Sequence, residues 1–165
     1  MLFCPIQGNK DKEFRVTQWF GEHPEIYKQF GHRGHNGIDF APKTPNTKGI
    51  IVYAPHEGYI KVKNEGKKGY GLYIEIISLP YQHGIGRKSD IAHFESVLVA
   101  DGQFVSAGDV VGIMGSTGFS SGIHCHWTYK KTDSFGVTID RNNGFNGAVD
   151  VSRYVQIWQL GNVLR

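Results

Sequence analysis

Short apolar-rich runs of β type, punctuated by glycine-bearing turns, recur along this chain. The clearest fall at 50–54, 59–63, 72–77, 96–99, 104–105, 110–114 and 123–129. Between them lie HEG, NEGKKGYG, ADGQ, SAGD and GSTGFSSG, which hold the residue types that tight turns require. Runs this short at this spacing predict a mainly β, antiparallel protein with few short helices. Helical patterning is thin and amounts to a turn near 23–30 and another near 151–158. EGYIKV (57–62) and DGQFVS (101–106) echo one another as glycine followed by strand. No linker or low-complexity stretch divides the chain, so one domain over 1–165 is expected.

The last of these runs, SSGIHCHWTYK (120–130), raises a chemical question. Side chains alternate faces along a strand, so His124, His126 and Thr128 share one side. Ile123, Cys125, Trp127 and Tyr129 take the other, which reads as core. Two imidazoles converging on one patch suit a metal site or an acid/base pair. They equally suit the polar outer face of an exposed strand.

Composition narrows the field. A chain of 165 residues can bury a real core, and its formal charge of +3 is only mildly basic. That charge suits an anionic surface such as a cell wall; no basic stripe interleaved with aromatics argues for nucleic acid. Cys4 and Cys125 make neither a disulfide framework nor a CxxC metal knuckle, and Cys125 is expected to be a buried thiol. No apolar run reaches the ~18 residues of a membrane span, so no membrane insertion is expected. MLFCPIQGNKDKEF lacks a charged segment followed by an apolar one, so no signal peptide is expected within this chain. Export would then rely on a segment already removed or on another route.

A catalytic zinc site uses three protein ligands and keeps a fourth position for water. The best partners for the His124/His126 pair are His35 and Asp39 in GHNGIDF (34–40), an imidazole and a carboxylate on a turn entering a strand. A third fragment, DIAHFESVLV, sets His93 directly before a β-type run. Singly, each fragment has a structural explanation.

In combination the order is HxxxD, a single His, then HxH followed by an aromatic residue. With FGHRGHNGIDFAP, VYAPHEGYIKV, GYGLYIEI and IAHFESVLVADGQFVSAGDVVGIMGSTGFSSGIHCHW, this succession resembles the M23 family of zinc metallopeptidases, the LytM/lysostaphin-like peptidoglycan hydrolases. The resemblance runs from about residue 16 to 150. It implies an antiparallel β-sheet core of the LytM type (the duplicated hybrid motif) under a loop-walled groove. It further implies that His35, Asp39 and His126 hold Zn²⁺, and that His93 and His124 flank the open position as catalytic histidines. Bacterial peptidoglycan becomes the expected partner and the cell wall the expected place of action. The expected reaction is hydrolysis of a stem-peptide or cross-bridge bond containing Gly or D-Ala. The runner-up is an inactive wall-binding or amidase-activating module of the same fold.

The groove walls should be 17–34, an insertion at 80–90, and 115–122. Trp19, Phe20, Tyr27 and Phe30 of the first wall either line the groove or pack their own loop. His23 and His32 are expected to be non-ligands, His56 to be solvated and His83 to sit in a turn. Where the family often has Phe and Glu after HxH, this chain has Trp127 and Thr128, which should change groove polarity and leave the chemistry intact. The tail RNNGFNGAVDVSRYV resembles endings in bacteriophage-borne family members, which makes a phage or prophage lysin an expected origin.

Overall fold

A computed structural model describes residues 2–6, 14–80 and 84–159, with backbone alone for 156–159. Ten strands and two helices follow one another along the described chain. They are β1 (Phe14–Gln18), α1 (Pro24–Tyr27), β2 (Ile38–Pro42), β3 (Ile51–Tyr53), β4 (Gly58–Asn64), β5 (Leu72–Ser78), β6 (Gly86–Ala92), β7 (Phe94–Val97), β8 (Phe104–Val105), β9 (Val110–Met114), β10 (Cys125–Thr132) and α2 (Ser152–Gln159). A single 3₁₀ turn, Lys28–Phe30, continues α1. Seven strands make one sheet in the order β1-β2-β10-β6-β5-β4-β8, and β3-β9-β7 make a second; every pairing is antiparallel.

The large sheet has two chemically distinct faces, and strand alternation alone produces them. Ile38 and Phe40 of β2, Ile74 and Ile76 of β5, Ile91 of β6, and Cys125 and Trp127 of β10 point into the core, each at most 1% exposed. Full burial of such side chains stabilises by about 1.5–3 kcal/mol each. The residues between them, Asp39, Glu75, Asp90, His126, Thr128 and Lys130, occupy the other face and are also buried. The face that alternation assigned to His126 and Thr128 is therefore neither solvent-exposed nor apolar. Both cysteines are buried free thiols, and burial pushes Cys4 up to about 12.

One central strand escaped the hydrophobic pattern. β6 reads GRKSDIA, yet it pairs with β10 on one side and β5 on the other. Its charges are met by partners on neighbouring elements. Arg87 pairs with Glu57, Lys88 lies 3.4 Å from Glu75, and Asp90 sits 2.7 Å from the buried Lys130 ammonium. Removing one partner of such a buried pair costs about 3–5 kcal/mol, because the other charge is stranded.

The expected wall at 80–90 is a correction. Gly86 pairs with Thr132 while Ala92 pairs with His126, so the described residues 86–90 form a sheet strand that starts at the end away from the histidines, and none of them lines the groove. His83 lies outside the described residues. His56 is a second correction: it is 0% exposed rather than solvated. Its Nδ1 lies 2.7 Å from the Glu57 carbonyl and its Nε2 3.0 Å from Ser89 Oγ. Because Trp127 Nε1–H donates to that same Ser89 oxygen, the network is complete with a neutral ring protonated at Nδ1. Burial, acting against the Glu57 bond, pushes His56 down to about 4.

Candidate metal centre and groove

β2 and β10 are neighbours in register, with Asp39 opposite His126. This pairing brings together two motifs that stand 87 residues apart in sequence. Asp39 Oδ1 is 2.8 Å from His126 Nδ1 and 3.2 Å from His35 Nε2, and the two ring nitrogens are 2.9 Å apart. The three atoms form a small triangle of donors. A tetrahedral ion with bonds of ~2.0–2.1 Å would set its ligand atoms roughly 3.3 Å apart, so a small shift seats one. Two imidazole nitrogens and a carboxylate oxygen this close repel one another unless a cation or proton lies between them. Among the described residues, this trio is the group of His, Cys, Asp and Glu arranged to hold a metal ion.

The surrounding residues hold the trio in place. His35 Nδ1 lies 3.2 Å from the Trp19 carbonyl, which fixes the ring and frees Nε2 for the site. Gly37 passes so close to His126 that a Cβ there would lie 2.7 Å from the imidazole Cε1, so any larger residue would displace the ring. Burial works to raise the Asp39 carboxyl. The hydrogen bonds and charges of His126 and His35 outweigh it and hold the group below the usual carboxylate range. Burial lowers His126, with Asp39 opposing.

His93 and His124 stand beside the trio with their ring centroids 4.4 Å apart. His93 Nδ1 lies 2.7 Å from the Thr117 carbonyl, and His124 Nδ1 lies 2.9 Å from that of Gly122. Each carbonyl can only accept, so each ring carries its proton at Nδ1 and keeps Nε2 as an acceptor. His124 Nε2 is 3.8 Å from Asp39 Oδ2. Burial, followed by His124 and His126, pushes His93 down to about 3. His93 is held at φ 67°, a left-handed backbone uncommon for a non-glycine residue, at the junction of β6 and β7. A hydrogen bond from its N–H to the Tyr70 carbonyl helps to hold it there.

All of this opens onto a groove of about 670 Å³ that reaches Asp39, His93, His124 and His126. The first wall divides by role. Tyr27 and Phe30 line the groove, whereas Trp19 packs on the core and Phe20 packs on Phe145 with ring centroids 4.5 Å apart. The expected wall at 115–122 supplies Gly118, Phe119, Ser120 and Ser121, and Phe119 meets Phe30 edge-on at 5.4 Å. His32 lines the groove and His23 pairs with Glu25 at the surface; neither belongs to the trio.

Sequence reasoning missed the third wall, the β4–β5 hairpin. It contributes Glu65, Lys67, Gly69 and Tyr70. Tyr70 accepts a 2.7 Å hydrogen bond from Asn36 and sets its ring centroid 5.0 Å from that of His126. The available signal was GYG. Gly71 has φ 62°, and a Cβ there would meet Gly118 N at 2.4 Å, so only glycine lets this hairpin touch the 115–122 loop.

The profile described as Peptidase family M23 matches residues 33–140. The chain is 35% identical over 115 residues to the DD-carboxypeptidase/endopeptidase Mpg of Neisseria meningitidis, covering 68% of this chain and 24% of that protein. It is 35% identical over 109 residues to the murein hydrolase activator NlpD of Escherichia coli, covering 64% of this chain and 26% of that one. It thus spans about a quarter of the length of these relatives. Among solved structures, a zinc-containing peptidase from Vibrio cholerae superposes with a TM-score of 0.59 at 25% identity, over 91% of this chain and 39% of the other.

Proposed function

The chain belongs to peptidase family M23, and from that premise we propose that it is a zinc-dependent endopeptidase that cuts peptide bonds of bacterial peptidoglycan. The observation that carries the reading is convergence. The His35/Asp39/His126 donor triangle opens through Asp39 and His126 onto the same groove that two tautomer-fixed histidines line. Two imidazoles and one carboxylate are the donor set of a catalytic zinc site with an open fourth position, and the similar Vibrio cholerae peptidase contains zinc. Zinc, when bound there, would polarise the peptide carbonyl and lower the pKa of a bound water toward ~7.

The chain's own residues do the rest. His35, Asp39 and His126 would hold and orient the ion, and two neutral rings with one carboxylate would leave it net positive. His93 and His124 offer Nε2 as a proton acceptor beside it. One takes a proton from the attacking water as oxygen bonds to the carbonyl carbon. The C–N bond then breaks and the same proton passes to the leaving amine. The other histidine, when protonated, stabilises the oxyanion that forms between these events. Tyr27, Phe30, Tyr70 and Phe119 shape the groove for an extended peptide. Peptidoglycan as the substrate is supported by the family resemblance and by the murein-directed name of one relative.

The test is digestion of purified peptidoglycans of several types by the zinc-loaded protein, with the fragments analysed by mass spectrometry. Defined peptide fragments with new amino termini are expected. Intact peptide bonds in every wall type would overturn the reading. Similarity to NlpD favours one other reading, an activator of wall amidases. Addition of a wall amidase separates the two: an activator accelerates the amidase and releases nothing alone.

A further inference from the structure

Beside the groove lies a second cavity of about 420 Å³, joined to it through Glu65, Tyr70 and Asn146, which line both. Strand register explains its composition. On the face that carries His126, Thr128 of β10 stands opposite Asp90 of β6, then Glu75 of β5, then Lys61 of β4. Flanking positions of the same face add Lys63, Lys88 and Lys130, and Arg141 closes the rim.

The cavity is short of negative charge. Five cationic side chains line it against three carboxylates, a surplus of two. Lys130 is matched by Asp90 at 2.7 Å. Glu75 is shared, however, by Lys63 at 2.9 Å and Lys88 at 3.4 Å, so one carboxylate serves two ammonium groups. Glu65 spends an oxygen on the Tyr70 N–H. Lys88 is only 13% exposed and Glu75 11%, whereas Lys63 is 43% exposed, so the shared carboxylate and Lys88 are shielded from solvent while Lys63 stays reachable from the cavity mouth.

We propose that this cavity binds a carboxylate of the substrate peptide, with Lys63 and Lys88 as its principal partners and Lys61 and Arg141 at its entrance. Glu75 lies two strands and one pleat repeat from His126, roughly 12 Å at ordinary sheet spacings. An extended peptide covers that in about three to four residues, so the carboxylate sits that far from the bond cut. The inference rests on the peptidase reading for its substrate, and it makes the charged face of the sheet a specificity device.

The test uses the zinc-loaded full chain and a set of soluble peptidoglycan peptides. One peptide keeps its free carboxylates; two others are amidated separately at the C-terminal and the side-chain carboxylate. KM and calorimetric Kd are measured on each. The expected result is that one amidation weakens binding about tenfold, as loss of a charge-assisted bond would, and that Lys63→Gln abolishes the difference. Lys61→Gln with Arg141→Gln, both at exposed positions, should also narrow it and serves if Lys63→Gln melts early. Equal binding of all three peptides by the wild type, or an undiminished preference in Lys63→Gln, overturns the proposal. Failure to hydrolyse any peptide would instead count against the peptidase reading, while the calorimetric comparison still decides the cavity.

Discussion

His124 and His126 stand one residue apart, yet their rings meet different neighbours. The His126 ring turns into the trio, where Nδ1 faces Asp39 and His35 at 2.8 and 2.9 Å. His124, like His93, ties Nδ1 to a backbone carbonyl and keeps Nε2 free. The difference lies in what each nitrogen sees. Nitrogens that face other electron pairs are built to share a cation, whereas nitrogens held opposite a carbonyl have a fixed tautomer and are built to move a proton.

Substitutions in the trio should break this division most severely. His35→Ala or Asp39→Ala removes a donor from the triangle, and turnover of peptidoglycan should fall to background in fragment-release assays. Asp39→Ala should be the worse, since it removes the one anionic donor of the trio. Next come the proton-moving positions. His93→Ala should lower kcat by about 10²–10⁴-fold, the usual worth of a positioned acid or base, with KM little changed. His124→Ala should behave likewise, unless His126 shifts into the vacated space, which a structure of the variant would reveal.

The opposite face of the same strand sharpens the contrast. Trp127→Ala should cost about 3–5 kcal/mol in chemical denaturation while leaving the donor set in place in the folded fraction. Behind Trp127, His56 sets a pH dependence of stability. Its folded pKa near 4 is below the unfolded value near 6.5. Between those values the unfolded chain binds the proton and the folded chain does not, so stability rises with pH from about 4 to 6.5. The full effect is about 3 kcal/mol at ~1.4 kcal/mol per pKa unit. His56→Gln melts measured over the same range should show a pH dependence smaller by that amount, the remainder coming from the other lowered histidines, His93 and His126. The smallest effect is expected at His23, whose ring pairs with Glu25 at the surface. His23→Ala should leave turnover within about twofold of wild type.

Much of the site was legible in the sequence because its parts obey local rules. The HxH pair reads directly as alternate positions at a strand, HxxxD as a turn into another, and GSTGFSSG as a loop. Antiparallel pairing of β2 with β10 then brings these pieces together. What stayed hidden depends on partners far away in the chain. β6 looks like a loop until Glu57, Glu75 and Lys130 meet its charges. His56 looks solvated until Ser89 and Glu57 satisfy both its nitrogens. The Tyr70 wall and the charged cavity depend on register across four strands, which no run of residues within one strand records.

The division between these histidines is tested by the zinc content of His93→Ala beside that of His126→Ala, measured by elemental analysis on folded, metal-supplemented protein. About one zinc per chain is expected in His93→Ala and close to none in His126→Ala. Zinc lost from His93→Ala, or retained in full by His126→Ala, would contradict the division between metal-holding and proton-moving histidines.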